Sequence, residues 1–438
     1  MSVELITILM FLGMLLLLAS GLPIAFVLGG SGLFFGVLFW GPASLHVVIA
    51  NASNLMRADL LIAVPLFIFM AYMLERSGIS EELYGVMHRW MGSLKGGLAA
   101  GTVVGCTIIA AMSGISTAGV LMMGIIGLPA MLHRHYDKKI AMGAIMAGGA
   151  LGPLIPPSVV MIIYAMLSGQ SIGKLFMGGM IPGLILSLLF IAYILIRCYR
   201  NPALGPALPK DERNSWKEKF VALKGIILPG LLVVGVLGSI FTGIATPTEA
   251  SAVGSFGVIL AAGMHRKLKT EVLKTVSLQT LKTTAMIMWL LFGAGVFASI
   301  YQGIGASQFI QNLIKSWPVN AWVILILIQL TWFVLGCLMD AISILMVTAP
   351  IFIPVARDLG IDLLWFGVLY AVNTEMGYLT PPFGVNLFVM KGITQNMDIT
   401  MEEIYASIWP FLCLQALGLF LLMIFPEIGT WLPNYLLK

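Results

Sequence analysis

Apolar runs recur along the whole chain, among them Leu5–Ala19, the approach to Val37–Trp40, and Ile185–Ile196 with its flanks. Each approaches the ~20 residues that a helix needs to cross a bilayer. The polar stretches between them are short, and the longest, Arg197–Lys224, is too small to bury a core of its own. This pattern predicts an all-α polytopic membrane protein with spans at 4–19, 23–40, 60–75, 176–196, 225–241, 247–264, 283–301 and 405–426. Two further spans, 140–168 and 363–395, carry adjacent prolines in mid-run. Shorter paired segments, 96–112 with 115–132 and 321–338 with 344–356, read as re-entrant hairpins.

Landmarks repeat at an offset of about half the chain, the signature of internal repeats in membrane carriers. Gly152-Pro153-Leu154-Ile155-Pro156-Pro157 returns as Gly377-Tyr378-Leu379-Thr380-Pro381-Pro382, and Pro129 returns as Pro354. Residues 1–197 and 225–438 are then two repeats, joined by a cytoplasmic linker at 198–224. Cytoplasmic loops collect Lys and Arg. Loops 76–95, 133–139, 197–224 and 265–282 hold three, three, seven and five of the 24 basic residues. One threading puts all four loops inside, gives the halves opposite orientation and leaves both termini periplasmic.

Composition narrows the class. The chain of 438 residues is 59% hydrophobic and only 10% charged, against about 25% charged in soluble domains. A soluble enzyme is excluded. The net charge of +5 follows from loop orientation rather than from a basic face, so no nucleic-acid partner is expected. Four separated cysteines form no CxxC pair, and the five histidines fall in loops or at span ends without an HExxH pattern. There is no phosphate-binding GxxxxGK[ST] loop, hence no nucleotide motor in this chain.

The candidate chemistry sits at the interruptions. Proline removes an amide donor and turns its predecessor away from helix, so both proline-bearing spans unwind at Gly152–Ser158 and Gly377–Asn386. Irregular backbone at membrane depth persists only where protein or a watery cavity satisfies it. Freed carbonyls suit a hard cation, and the half-helices after Pro157 and Pro382 turn amide donors toward an anion. The alternative is a plain proline kink. Between the hairpin arms lie Ser113-Gly114-Ile115-Ser116-Thr117 and Met339-Asp340-Ala341-Ile342-Ser343. Asp340 is a carboxylate flanked by apolar spans, which points to a Na+ or H+ partner, or to a cap on the second arm. Glu375 is a proton site or a support for the broken loop. Glu249, after Pro247, reads as a helix cap.

Across Gly149–Ser158, Ala245-Thr246-Pro247-Thr248-Glu249-Ala250 and Leu379–Phe388, the chain resembles the large membrane subunit of tripartite ATP-independent periplasmic (TRAP) transporters. The likeness covers essentially its full length. It implies an elevator-type secondary carrier of the ion transporter superfamily in the bacterial inner membrane. Such a carrier takes an organic anion from a periplasmic substrate-binding protein and works with a small four-helix membrane subunit, here expected as a separate chain. It also implies two Na+ sites, one at Ser113, Gly114, Gly152 and Ile155, the other at Asp340, Ser343, Gly377 and Thr380. Substrate would lie between them, against Ser116, Thr117, Pro156, Pro157, Ser158, Thr380, Pro381, Pro382 and Asn386. Two rivals stand beside this: a proton-coupled carrier using Glu375 or Asp340, and a non-transporting assembly subunit. Which anion is carried is not legible, and carboxylates and sulfonates both fit.

Overall fold

The structure is a computed structural model and describes residues 2–316, 319–382 and 384–436. Among these residues it is helical throughout, with turns, bends and short 3-10 segments between the helices. Five helices are long and apolar enough to cross a membrane, up to seven if two bent pairs each count as one span.

The first proline-bearing span is Lys138–Ala150, an unwound segment, then Val159–Ser168. Ser158 explains where helix resumes: its extended backbone and its hydroxyl, which accepts from the Met161 amide at 3.2 Å, cap the second piece. The second is Leu363–Leu379 followed by Val385–Ile393. It ends at Thr380, whose backbone is extended as expected before a proline. The Pro156–Pro157 and Pro381–Pro382 bonds are both cis.

Two helix pairs flank these breaks, Gly97–Ser113 with Ser116–His133 and Ala321–Gly336 with Ala341–Asp358. Gly114 makes the first turn with φ +63°, a conformation that favours glycine. Asp340 makes the second by accepting from the amides of Ile342 (3.0 Å) and Ser343 (3.1 Å), so the capping role holds whatever else it does. The Glu249 cap is also present, as a capping box with Thr246. Phe383 of the second motif lies outside the described residues.

Packing separates two groups of helices. Ile24–Trp40, Ala63–Glu75, Pro247–Met264 and Thr270–Gly303 pack on one another. Their crossings are close, since a Cβ at Gly293 would lie 2.2 Å from the Ala25 carbonyl oxygen. The helix pairs pack on the broken spans. Val385–Ile393 lies against Ser116–His133, and Val159–Ser168 against Ala341–Asp358. Met401–Ile424 also lies mainly on the broken spans, and Ile172–Arg200 lies on Glu427–Leu436 and Gly97–Ser113 as well as on them.

Two expectations from hydropathy fail. Residues 41–59 are not a loop but contain the helix Ser44–Met56, bent by 58° against the segment Asp59–Glu75. Residues 265–282 are mostly helix as well, the start of a continuous 34-residue helix, Thr270–Gly303. Its first turns carry Glu271, Lys274 and Lys282, so polarity there marks a helix leaving the apolar zone rather than a turn.

Candidate functional site

The first turn docks into the first break by backbone contact. A Cβ at Gly114 would fall 1.9 Å from the Pro157 carbonyl oxygen, and one at Gly152 would fall 2.7 Å from the Ser116 nitrogen. Glycine at both positions is therefore what lets turn and break touch. At the second turn, Gly336 and Gly377 approach backbone to backbone, a Cβ on Gly377 meeting the Gly336 Cα at 2.6 Å. Two tyrosines of the broken span hold the same turn: the Tyr378 hydroxyl accepts from the Ala341 amide at 3.2 Å, and Tyr370 donates to the Ala341 carbonyl. Ser343 donates to the Asp340 carboxylate.

Several hydrogen bonds cross between the halves, and one of them joins a turn to a break. The Asn386 amide donates to the Ser116 hydroxyl at 2.8 Å, and both side chains are buried. The first turn is thereby fixed to the half-helix of the second break. Glu375 is fully buried and accepts from Gln415 at 3.0 Å, and the Leu154 backbone also interacts with its carboxylate.

Both turns and both breaks meet at a cavity of about 300 Å³. Its walls include Gly114, Ser116, Thr117 and Pro153 from one half, and Asp340 and Tyr378 from the other. Asp340 is half-buried there and is the single carboxylate among the lining residues, none of which is Lys or Arg. The lining is mostly apolar, and the Asp340 carboxylate with the hydroxyls of Ser116 and Thr117 supplies oxygen atoms of the kind that hard cations take. No cluster of three or more His, Cys, Asp or Glu occurs among the described residues.

The expected site residues divide into two sets. Ser116, Thr117, Gly114 and Asp340 line the cavity; Asn386, Ser343 and Gly152 touch residues that do. Ser113, Ile155, Pro156, Pro157, Ser158, Gly377, Thr380, Pro381 and Pro382 are not in its walls. The Ser158 hydroxyl is occupied with the Pro153 carbonyl and Met161 amide, and Thr380 donates to the Met376 carbonyl at 2.6 Å. These two hydroxyls shape the breaks rather than face the cavity. Sequence reasoning missed Tyr72 and Thr283, joined at 2.8 Å on the opposite wall. The signal was present in the polar run Gln279-Thr280-Leu281-Lys282-Thr283-Thr284 at the edge of an apolar span.

Helices broken around a small cavity that carries one carboxylate, within an apolar bundle, define a polytopic membrane permease. Residues 11–428 match the family described as "Tripartite ATP-independent periplasmic transporter, DctM component". The C4-dicarboxylate TRAP transporter large permease protein DctM of Pseudomonas aeruginosa is 32% identical over 91% of this chain and 92% of its own. The sialic acid TRAP transporter large permease protein SiaM of Vibrio cholerae is 31% identical over 97% and 98%. The YdaH transporter of Alcanivorax borkumensis has a similar fold, with a TM-score of 0.66 at 17% identity over 98% of this chain and 99% of that one. The chain belongs to the DctM family: it is a TRAP transporter large membrane subunit, integral to the inner membrane.

Proposed function

We propose that this subunit carries a small organic anion, a carboxylate or sulfonate, into the cell in symport with Na+ by an elevator motion. The observation that carries this reading is the cavity where both turns and both breaks converge. Without a lining Lys or Arg, positive potential for an anion comes from bound cations and helix N-termini. One Na+ occupies the cage of Ser113, Gly114, Gly152 and Ile155. The second occupies that of Asp340, Ser343, Gly377 and Thr380 and neutralises the Asp340 carboxylate. The anion lies between, at Ser116 and Thr117, with the breaks around Ser158 and Asn386 closing behind it.

Helix order supports inverted repeats, since turns, breaks and flanking spans recur about 225 positions apart in the second half. Loop charge supports periplasmic termini. The moving body comprises the re-entrant hairpins and broken spans. From their packing, Ile172–Arg200 and Met401–Ile424 travel with it. The fixed frame is extended by a small four-helix subunit, and substrate arrives on a periplasmic binding protein. Relatives named for C4-dicarboxylate and sialic acid bracket the size of substrate.

Thermal unfolding of the purified chain in NaCl against choline chloride tests the ion sites. Na+ raises the midpoint in the wild type, because a ligand held only by the folded state stabilises it. Asp340→Ala loses most of that increment; an equal increment in the variant rejects the second site. The buried Glu375, with no basic partner among the described residues, favours a second reading, proton coupling, which requires that Glu375→Gln abolish uptake driven by a pH gradient.

A further inference from the structure

The wall opposite the two turns is the least explained part of the cleft. A second cavity, of about 670 Å³, adjoins the first, and both are lined by Tyr72, Ile115 and Thr117. Tyr72 and Thr283 face the inner one; Tyr72, Glu75 and Gln279 face the outer. Gln279 and Thr283 are four residues apart in Thr270–Gly303, so they stack on one helix face. Among the described residues, the Gln279 Oε1 is buried without a protein partner. Such groups are costly in an apolar bundle unless something polar visits them. Lipid explains none of this, since the lipid-side neighbour on the same helix is Leu281, 65% exposed.

We propose that Tyr72, Gln279 and Thr283 form a polar lane on the fixed helices. This lane hydrogen-bonds the oxygen atoms of the passing organic anion and discriminates among anions by their polar groups. It rests on the transport reading above and extends it from the moving site to the frame. Gln279 offers both donor and acceptor; Tyr72 and Thr283 exchange their mutual bond for bonds to the anion. Passage then runs from the turns at Ser116 and Thr117 toward the mouth at Glu75.

The lane is tested with a small organic sulfonate as probe. In the full chain lacking Cys337 and Cys413, the unburied native thiols, Gln279→Cys, Thr283→Cys and Leu281→Cys are treated with the sulfonatoethyl methanethiosulfonate anion. Modification at 279 and 283 but not 281 is expected; no modification at 279 and 283, or equal modification at all three, overturns the lane. Labelling needs no turnover, so it decides accessibility even if wild-type uptake fails and the transport reading falls. Discrimination is read by competition among succinate, sialic acid and 2-hydroxyethanesulfonate. Loss of one neutral hydrogen bond in Thr283→Val or Gln279→Leu lowers uptake about fivefold and reorders the competitors. Thr283→Ser restores the order. Wild-type uptake and order in both apolar variants would overturn the role.

Discussion

Ser116 and Asn386 lie 270 positions apart yet share a buried hydrogen bond, and the Asn386 amide also donates to the Met146 carbonyl at 3.4 Å. Removing one side leaves a buried polar group of the other without that partner, at about 1–3 kcal/mol. Ser116→Ala therefore lowers the unfolding midpoint in detergent. Ser116→Ala with Asn386→Ala destabilises by less than the sum of the two, because the stranded partner is gone; strict additivity would mean that the bond contributes nothing. Both residues were legible as candidates because they sit beside a turn and a break. Their pairing was not, since nothing local in the sequence registers a contact across halves. Asp340 was legible as the residue opening a helix, because an aspartate just ahead of an apolar run suits a cap. Tyr72 was not, because one tyrosine in an apolar run has no distinguishing pattern until Thr283 is placed against it.

Among helices, glycine spacing decides which ones approach. Gly377→Ala forces the second broken span off the arm bearing Gly336 and destabilises the chain. Gly30→Ala meets nothing within 4 Å and is neutral or stabilising, since alanine favours helix by about 1 kcal/mol. Comparing the two unfolding midpoints checks this, and an equal loss in both would refute the packing argument. The breaks were legible from paired prolines, whose effect on helix is local. Ser44–Met56 and the start of Thr270–Gly303 were not, because hydropathy separates apolar from polar rather than helix from loop. Where the helix Ile79–Met91 meets the end of Pro247–Met264, His265 lies 2.9 Å from Glu82. The hydrogen bond to the Ala261 carbonyl raises the His265 pKa above its ordinary 6.5, helped by Glu82 against the opposing effect of burial. A raised histidine pKa contributes stability that is complete below the unfolded value and fades as pH climbs through the folded one. The unfolding midpoint should thus fall between about pH 6 and 8. Glu82→Gln flattens that slope, and an unchanged slope would remove Glu82 from the account.

For the whole molecule, the group of helices around Thr270–Gly303 meets the turns and breaks at the cavity. Under the proposed elevator motion, that arrangement ties ion occupancy to movement: a bare carboxylate or anion is costly to carry past apolar walls, whereas a neutralised site is not. The family assignment says that the chain is a permease subunit, and the proposed function places its cargo at the cavity. Coupling to Na+ joins the two. It is tested most directly by uptake into proteoliposomes holding this chain with its small subunit and loaded binding protein, under imposed Na+ or proton gradients. Na+ symport requires that an inward Na+ gradient drive accumulation, that a proton gradient alone not do so, and that Asp340→Ala reduce uptake to background. Uptake that persists unchanged without Na+, or in Asp340→Ala, would contradict it.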